Sequence, residues 1–103
     1  MGIYSLYKQI ENKEIEETKE ILLMRGEDGW GVAHWLSFNS GETKWVTDNK
    51  DILVLPDNCK RSVAYWLAEN HPTWTTDDPE ILSLYYSYKK QTVEDVLVKK
   101  GKI

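Results

Sequence analysis

One pattern recurs three times along this chain and constrains the fold more than any other feature. Val32-Ala33-His34-Trp35-Leu36 returns as Val63-Ala64-Tyr65-Trp66-Leu67, and its frame as Val93-Glu94-Asp95-Val96-Leu97, at intervals of 31 and then 30 residues. A second word keeps step as Glu20-Ile21-Leu22, Asp51-Ile52-Leu53 and Glu80-Ile81-Leu82. A third occurs as Trp45-Val46-Thr47-Asp48 and Trp74-Thr75-Thr76-Asp77. Words that keep one order at one period mark a repeat protein, in which each unit buries its apolar face only against its neighbours.

The repeats predict an all-α chain: a small helical solenoid of about three repeats behind an N-terminal helical cap. The single domain 1–103 divides into the cap (1–20) and repeats at 21–51, 52–80 and 81–103. Ile3, Leu6, Tyr7 and Ile10 have helical spacing and would cover the first apolar face of the stack. Each repeat is expected to run as a helix, a Trp-containing turn, a second short helix and a loop. Ser62 and Thr92 stand just before the first word, where a hydroxyl can accept a free N–H of the first turn, and Thr92-Val93-Glu94-Asp95 has the capping-box form. Gly31 holds that place in the first repeat and is a weaker cap. Asp78-Pro79-Glu80 marks the start of a short helix. Ile52-Leu53-Val54-Leu55 has strand-like composition, but its equivalence with Glu80-Ile81-Leu82 favours a short helix or 3₁₀ turn.

At these words the chain resembles the ankyrin-repeat family. Gly29-Trp30-Gly31-Val32-Ala33-His34-Trp35-Leu36 is similar to that family's opening, Gly-x-Thr-Pro-Leu-His-x-Ala, and the frame recurs at Arg61–Leu67 and Gln91–Leu97. The resemblance covers about residues 20–101. It departs from the family in its shorter period, in Val where the family has Pro, and in the shortened second helix. The resemblance implies binding to a protein partner, through loop tips and the exposed face of the first helices.

Charge narrows the partner. The chain carries 17 acidic and 13 basic side chains, net −4, with the excess of acid in residues 1–88 and the basic residues Lys89, Lys90, Lys99, Lys100 and Lys102 near its end. An acidic body lacks the basic footprint of nucleic-acid binding, so direct binding to nucleic acid is not expected. No apolar run approaches the roughly 18 residues of a membrane span, and the single cysteine, Cys59, suits a reducing compartment; a cytoplasmic protein without membrane contact is expected.

Catalytic chemistry finds little purchase. His34, His71 and Cys59 have no zinc-like spacing, Cys59 has no base placed near it by sequence, and no P-loop or dinucleotide fingerprint occurs. No enzyme activity, metal or cofactor is expected. Among the five tryptophans, Trp35 and Trp66 recur in register, as do Trp45 and Trp74, and such positions are expected to build the stacking core. Trp30 aligns instead with Arg61 and Gln91, and His34 with Tyr65 and Asp95; variation between repeats points to exposure. The predicted partner-binding residues are therefore Trp30, His34, Arg61, Tyr65, Tyr85 and Tyr88. A homo-oligomer is compatible with a short stack that has two free ends. The alternative reading is a small phage- or bacterium-encoded inhibitor, of the anti-defence or anti-CRISPR type, that blocks a host protein's nucleic-acid site.

Overall fold

Three four-residue helices are the organising starts of the fold. In the computed structural model, which describes residues 2–103, they are α2 (Lys19–Leu22), α5 (Lys50–Leu53) and α7 (Pro79–Leu82). Each opens on a side-chain cap: Thr18, Asn49 and Asp78 accept the N–H of Ile21, Asp51 and Glu80. The caps matter because four residues are too few to hold a helix by propensity alone. The other helices are α1 (Ile3–Glu11), α3 (Val32–Phe38), α4 (Ser40–Thr43), α6 (Val63–Asn70) and α8 (Val93–Lys99).

Each short helix runs into a tight hairpin and then into one of the longer helices. In the third unit the hairpin is a two-stranded antiparallel sheet, β1 (Tyr85–Tyr86) with β2 (Gln91–Thr92), in the register Tyr85 to Thr92 and Tyr86 to Gln91. The first two units reduce it to single bridges, Arg25 with Gly31 and Pro56 with Ser62. In all three a backbone N–H closes the hairpin at the start of the long helix: Val32 to Met24 (3.2 Å), Val63 to Leu55 (3.1 Å) and Val93 to Leu84 (3.0 Å). The turns share a left-handed residue at the same place, Gly29 (φ 84°), Lys60 (φ 65°) and Lys90 (φ 53°). At Gly29 glycine is needed twice over, because a Cβ there would also lie 2.6 Å from the Cβ of Asn58 on the next hairpin tip.

The long helices pack in chain order, α1 on α3, α3 on α6 and α6 on α8, in a body of 37 × 25 × 19 Å. The recurrent word supplies the seam. Val32, Ala33, Leu36, Val63, Ala64, Leu67, Val93, Val96 and Leu97 are all at most 1% exposed, joined from the short helices by Ile52 and Ile81. Burial of each larger side chain contributes about 1.5–3 kcal/mol. The short helices are tied by ion pairs at matching positions: Lys19 to Asp51 (2.7 Å) and Lys50 to Glu80 (3.2 Å). These pairs are exposed and add little stability.

The chain is thus mostly helical, and the expectation of an all-α fold needs correction by its hairpin. Two facing residue pairs suffice for strands where Tyr85-Tyr86 lies opposite Gln91-Thr92. The order matches the expected long helix, Trp-containing stretch, short helix and turn, with the turn closed as a hairpin before the next long helix. Boundaries drawn at 20/21, 51/52 and 80/81 each cut a short helix, whose caps stand at Thr18, Asn49 and Asp78.

Candidate interaction surface

Aromatic rings form one unbroken path across the stacked units. Tyr4 of α1 meets Trp35 edge-on (5.0 Å between ring centres), Trp35 meets Trp30 (5.3 Å), and Trp30 meets Trp66 (5.6 Å). Trp66 continues to Tyr65 (5.6 Å), Tyr65 to Tyr86 (5.1 Å) and Tyr86 to Tyr88 (6.2 Å). Phe38 stands edge-on to both Trp30 and Trp66, at 5.7 and 5.0 Å. Such contacts are favourable beyond the area they bury, so the rings support one another along the path. Its outer members are open to solvent: Tyr4 is 51% exposed, Phe38 43% and Tyr88 86%.

Two cations lie over the rings. The Arg61 guanidinium is 4.6 Å from the centre of Trp66 and 5.7 Å from that of Trp30, and Lys8 reaches over Tyr7 and Tyr4. Arg61 is held from below. Its Nε donates to Asp57 Oδ2 (2.9 Å), which also accepts the indole N–H of Trp66 (3.2 Å). Asp57 Oδ1 accepts the backbone N–H groups of Cys59 (2.8 Å) and Arg61 (2.9 Å). A single buried carboxylate therefore positions the middle hairpin, the guanidinium and one tryptophan of the platform.

Of the six residues predicted to bind a partner, Trp30 is half-buried at the centre of the path, Arg61 is stacked on it, and Tyr88 ends it. Tyr85 is exposed but, by the alternation of β1, points opposite to Tyr86 and off the path. His34 and Tyr65 require correction, being 0% and 7% exposed. His34 Nδ1 accepts the Gly31 N–H (2.9 Å) and its Nε2–H donates to the Leu55 carbonyl of the next unit (3.0 Å). Tyr65 packs between Trp66 and Tyr86. Trp35 and Trp66, expected to build the stacking core, are partly buried, pack against that core and line the path. Tyr4 and Phe38 escaped the sequence reading because each lies outside the repeated words; the signal that could have found them is aromatic spacing on the helix, Phe38 falling three residues after Trp35.

Both histidines accept backbone N–H groups through Nδ1, His71 from Thr73 (3.0 Å) and Trp74 (2.8 Å). Burial lowers the pKa of each below its ordinary value, and for His71 the ammonium of Lys102 acts in the same direction. An unfolded chain then takes up protons near pH 6.5 that the folded chain refuses. Stability is expected to be level above about pH 6.5 and to fall as pH drops below it, until the lowered folded pKa values are reached. Urea unfolding between pH 7.5 and 5 checks this. His34→Gln should flatten the slope, and an unaltered slope would exclude His34 as its source.

Among the described residues, no three His, Cys, Asp or Glu side chains come together as a metal site would require. No helix among them is long and apolar enough to cross a membrane. No protein-family model, curated protein or solved structure matches this chain.

Proposed function

We propose that this chain is a non-catalytic protein-interaction module, an ankyrin-like solenoid whose aromatic platform seats a partner protein. The observation that carries this reading is the continuous path from Tyr4 through Trp30 to Tyr88, open at both ends and at Phe38. Rings that only filled a core would end in the interior; a connected exposed patch of Trp, Tyr, Phe and Arg has the composition of binding hot spots. The solenoid reading is supported by the threefold unit, the ordered stacking of α1, α3, α6 and α8, and the matching Lys–acid pairs. A net charge of −4 favours a protein rather than nucleic acid as the partner.

Affinity capture from the native host, repeated with variants, tests the reading. Trp30→Ala should weaken binding of the captured partner by about 2 kcal/mol, and Phe38→Ala, which alters an exposed ring, should weaken it without loss of fold. Val98→Ser, an exposed apolar change on α8 away from the path, should leave binding intact. A partner held equally by folded Trp30→Ala, Phe38→Ala and wild-type protein would sink the proposal.

A further inference from the structure

A second surface lies where the Trp45 and Trp74 words run as loop backbone beside the short helices. Three hollows stand there in file. The first, about 520 Å³, has Ile10, Ile15, Leu36 and Trp45 as its floor, and the carboxylates of Glu11, Glu17 and Glu42 with Lys13 at its rim. The second, about 510 Å³, shares Glu17 with the first and is bounded by Val46, Asp48 and Trp74. The third shares Thr47, Asp48 and Trp74 with the second and continues to Leu53, Ile81 and Asp78. Shared walls make these one groove, apolar and aromatic below and acidic above.

The rim has unspent charge. Among the described residues Glu17, Glu42 and Asp48 form no ion pair, whereas Lys50 is engaged by Asp78 (3.4 Å) and Glu80 (3.2 Å). Trp45 donates its indole N–H to Glu17 Oε1 (2.7 Å), and both side chains line the first hollow. Aromatic faces flanked by carboxylates attract guanidinium and ammonium groups, and the apolar floor accommodates their aliphatic stems. The file of hollows suits a length of chain better than a compact cation.

We propose that this groove binds an extended, arginine- or lysine-bearing segment of a partner protein. The surface is separate from the aromatic platform, and the proposal does not rest on it.

The probe is a fluorescein-labelled nonapeptide alternating arginine with serine, titrated into the full chain by anisotropy and followed by the indole N–H signals in ¹⁵N spectra. Binding should shift the indole signals of Trp45 and Trp74 and leave those of Trp30, Trp35 and Trp66 in place. Glu17→Gln with Asp48→Asn should lower affinity about tenfold or more. Glu27→Gln with Glu94→Gln, the same change of charge away from the groove, should lower it less than about threefold. Trp30→Ala should not change it, which separates this result from failure of the platform reading. Four results would overturn the proposal: no binding; equal loss in the two charge-matched pairs, which means diffuse attraction; displacement by spermine at equal concentration, which means a small polycation site; or self-association abolished by Lys99→Ala with Lys100→Ala, which means the basic end of a second copy is the occupant.

Discussion

Asp57→Ala is expected to cost about 3 kcal/mol of folding stability, an effect large enough to lower the urea midpoint markedly in a chain of this size. The side chain of Asp57 is fully buried and receives four hydrogen bonds, two from backbone and one each from Arg61 and Trp66. Breaking a fully buried ion pair costs about 3–5 kcal/mol. The lower end applies here, because the Arg61 side chain is 22% exposed and can turn to water once released. Asp57→Asn should lose less, since its amide oxygen can still accept the Cys59 and Arg61 N–H groups while the ion pair is gone. The indole N–H signal of Trp66 should move in both variants. Equal stability of wild type and Asp57→Ala would mean that the hairpin is held by its backbone bridge alone.

That hub also shows the limit of reading the chain one repeat at a time. Asp57 occupies the position of Gly26 and Tyr86 and in the sequence is only part of a turn, Pro56-Asp57-Asn58. Its role comes from the fold, which brings Arg61 and Trp66 over one carboxylate. The scaffold was far more legible. The recurrent Val and Leu positions mark the buried seam, Ser62 and Thr92 cap their helices as expected, and Asp78-Pro79 starts α7. The hairpins were not legible, because their strands are at most two residues long and carry no alternating pattern to detect.

The equivalence of His34, Tyr65 and Asp95 teaches a more specific lesson. Variation among repeats predicts exposure, yet two of these three residues are buried. His34 and Asp95 perform one task with different chemistry: each accepts the N–H of the residue three before it, Gly31 (2.9 Å) or Thr92 (2.9 Å). A ring nitrogen and a carboxylate oxygen serve equally as that acceptor. Tyr65 instead fills space between rings. A position can therefore vary because its hydrogen-bonding duty tolerates several side chains, and only the geometry separates that case from a free surface. The recurring Trp35 and Trp66 pack against the core as expected, but they are only partly buried and also line the aromatic path.

Gly31→Ser brings the two kinds of reasoning into direct conflict. By register Gly31 stands where Ser62 and Thr92 cap their helices, so the repeats alone predict that serine would stabilise α3 by up to about 1 kcal/mol. In the folded chain a Cβ at this position would lie 2.4 Å from the backbone carbonyl oxygen of Met24 and 3.4 Å from His34 Nδ1. The Met24 oxygen is not free to withdraw, because it accepts the Val32 N–H that closes the first hairpin (3.2 Å). His34 already takes the Gly31 N–H, so a serine hydroxyl could add only the other half of a capping box, the bond from the His34 N–H. Overpacking against backbone therefore outweighs the gain, and Gly31→Ser should lose about 2–3 kcal/mol. Gly31→Ala separates the causes: it adds the same Cβ without a hydroxyl and should lose as much or slightly more. The reverse change, Ser62→Gly, should cost at most about 1 kcal/mol, because it removes a cap and creates no clash. Urea unfolding of the three variants decides the matter, and a stabilised Gly31→Ser would show that the first hairpin can open by the width of a methyl group without losing its bridge.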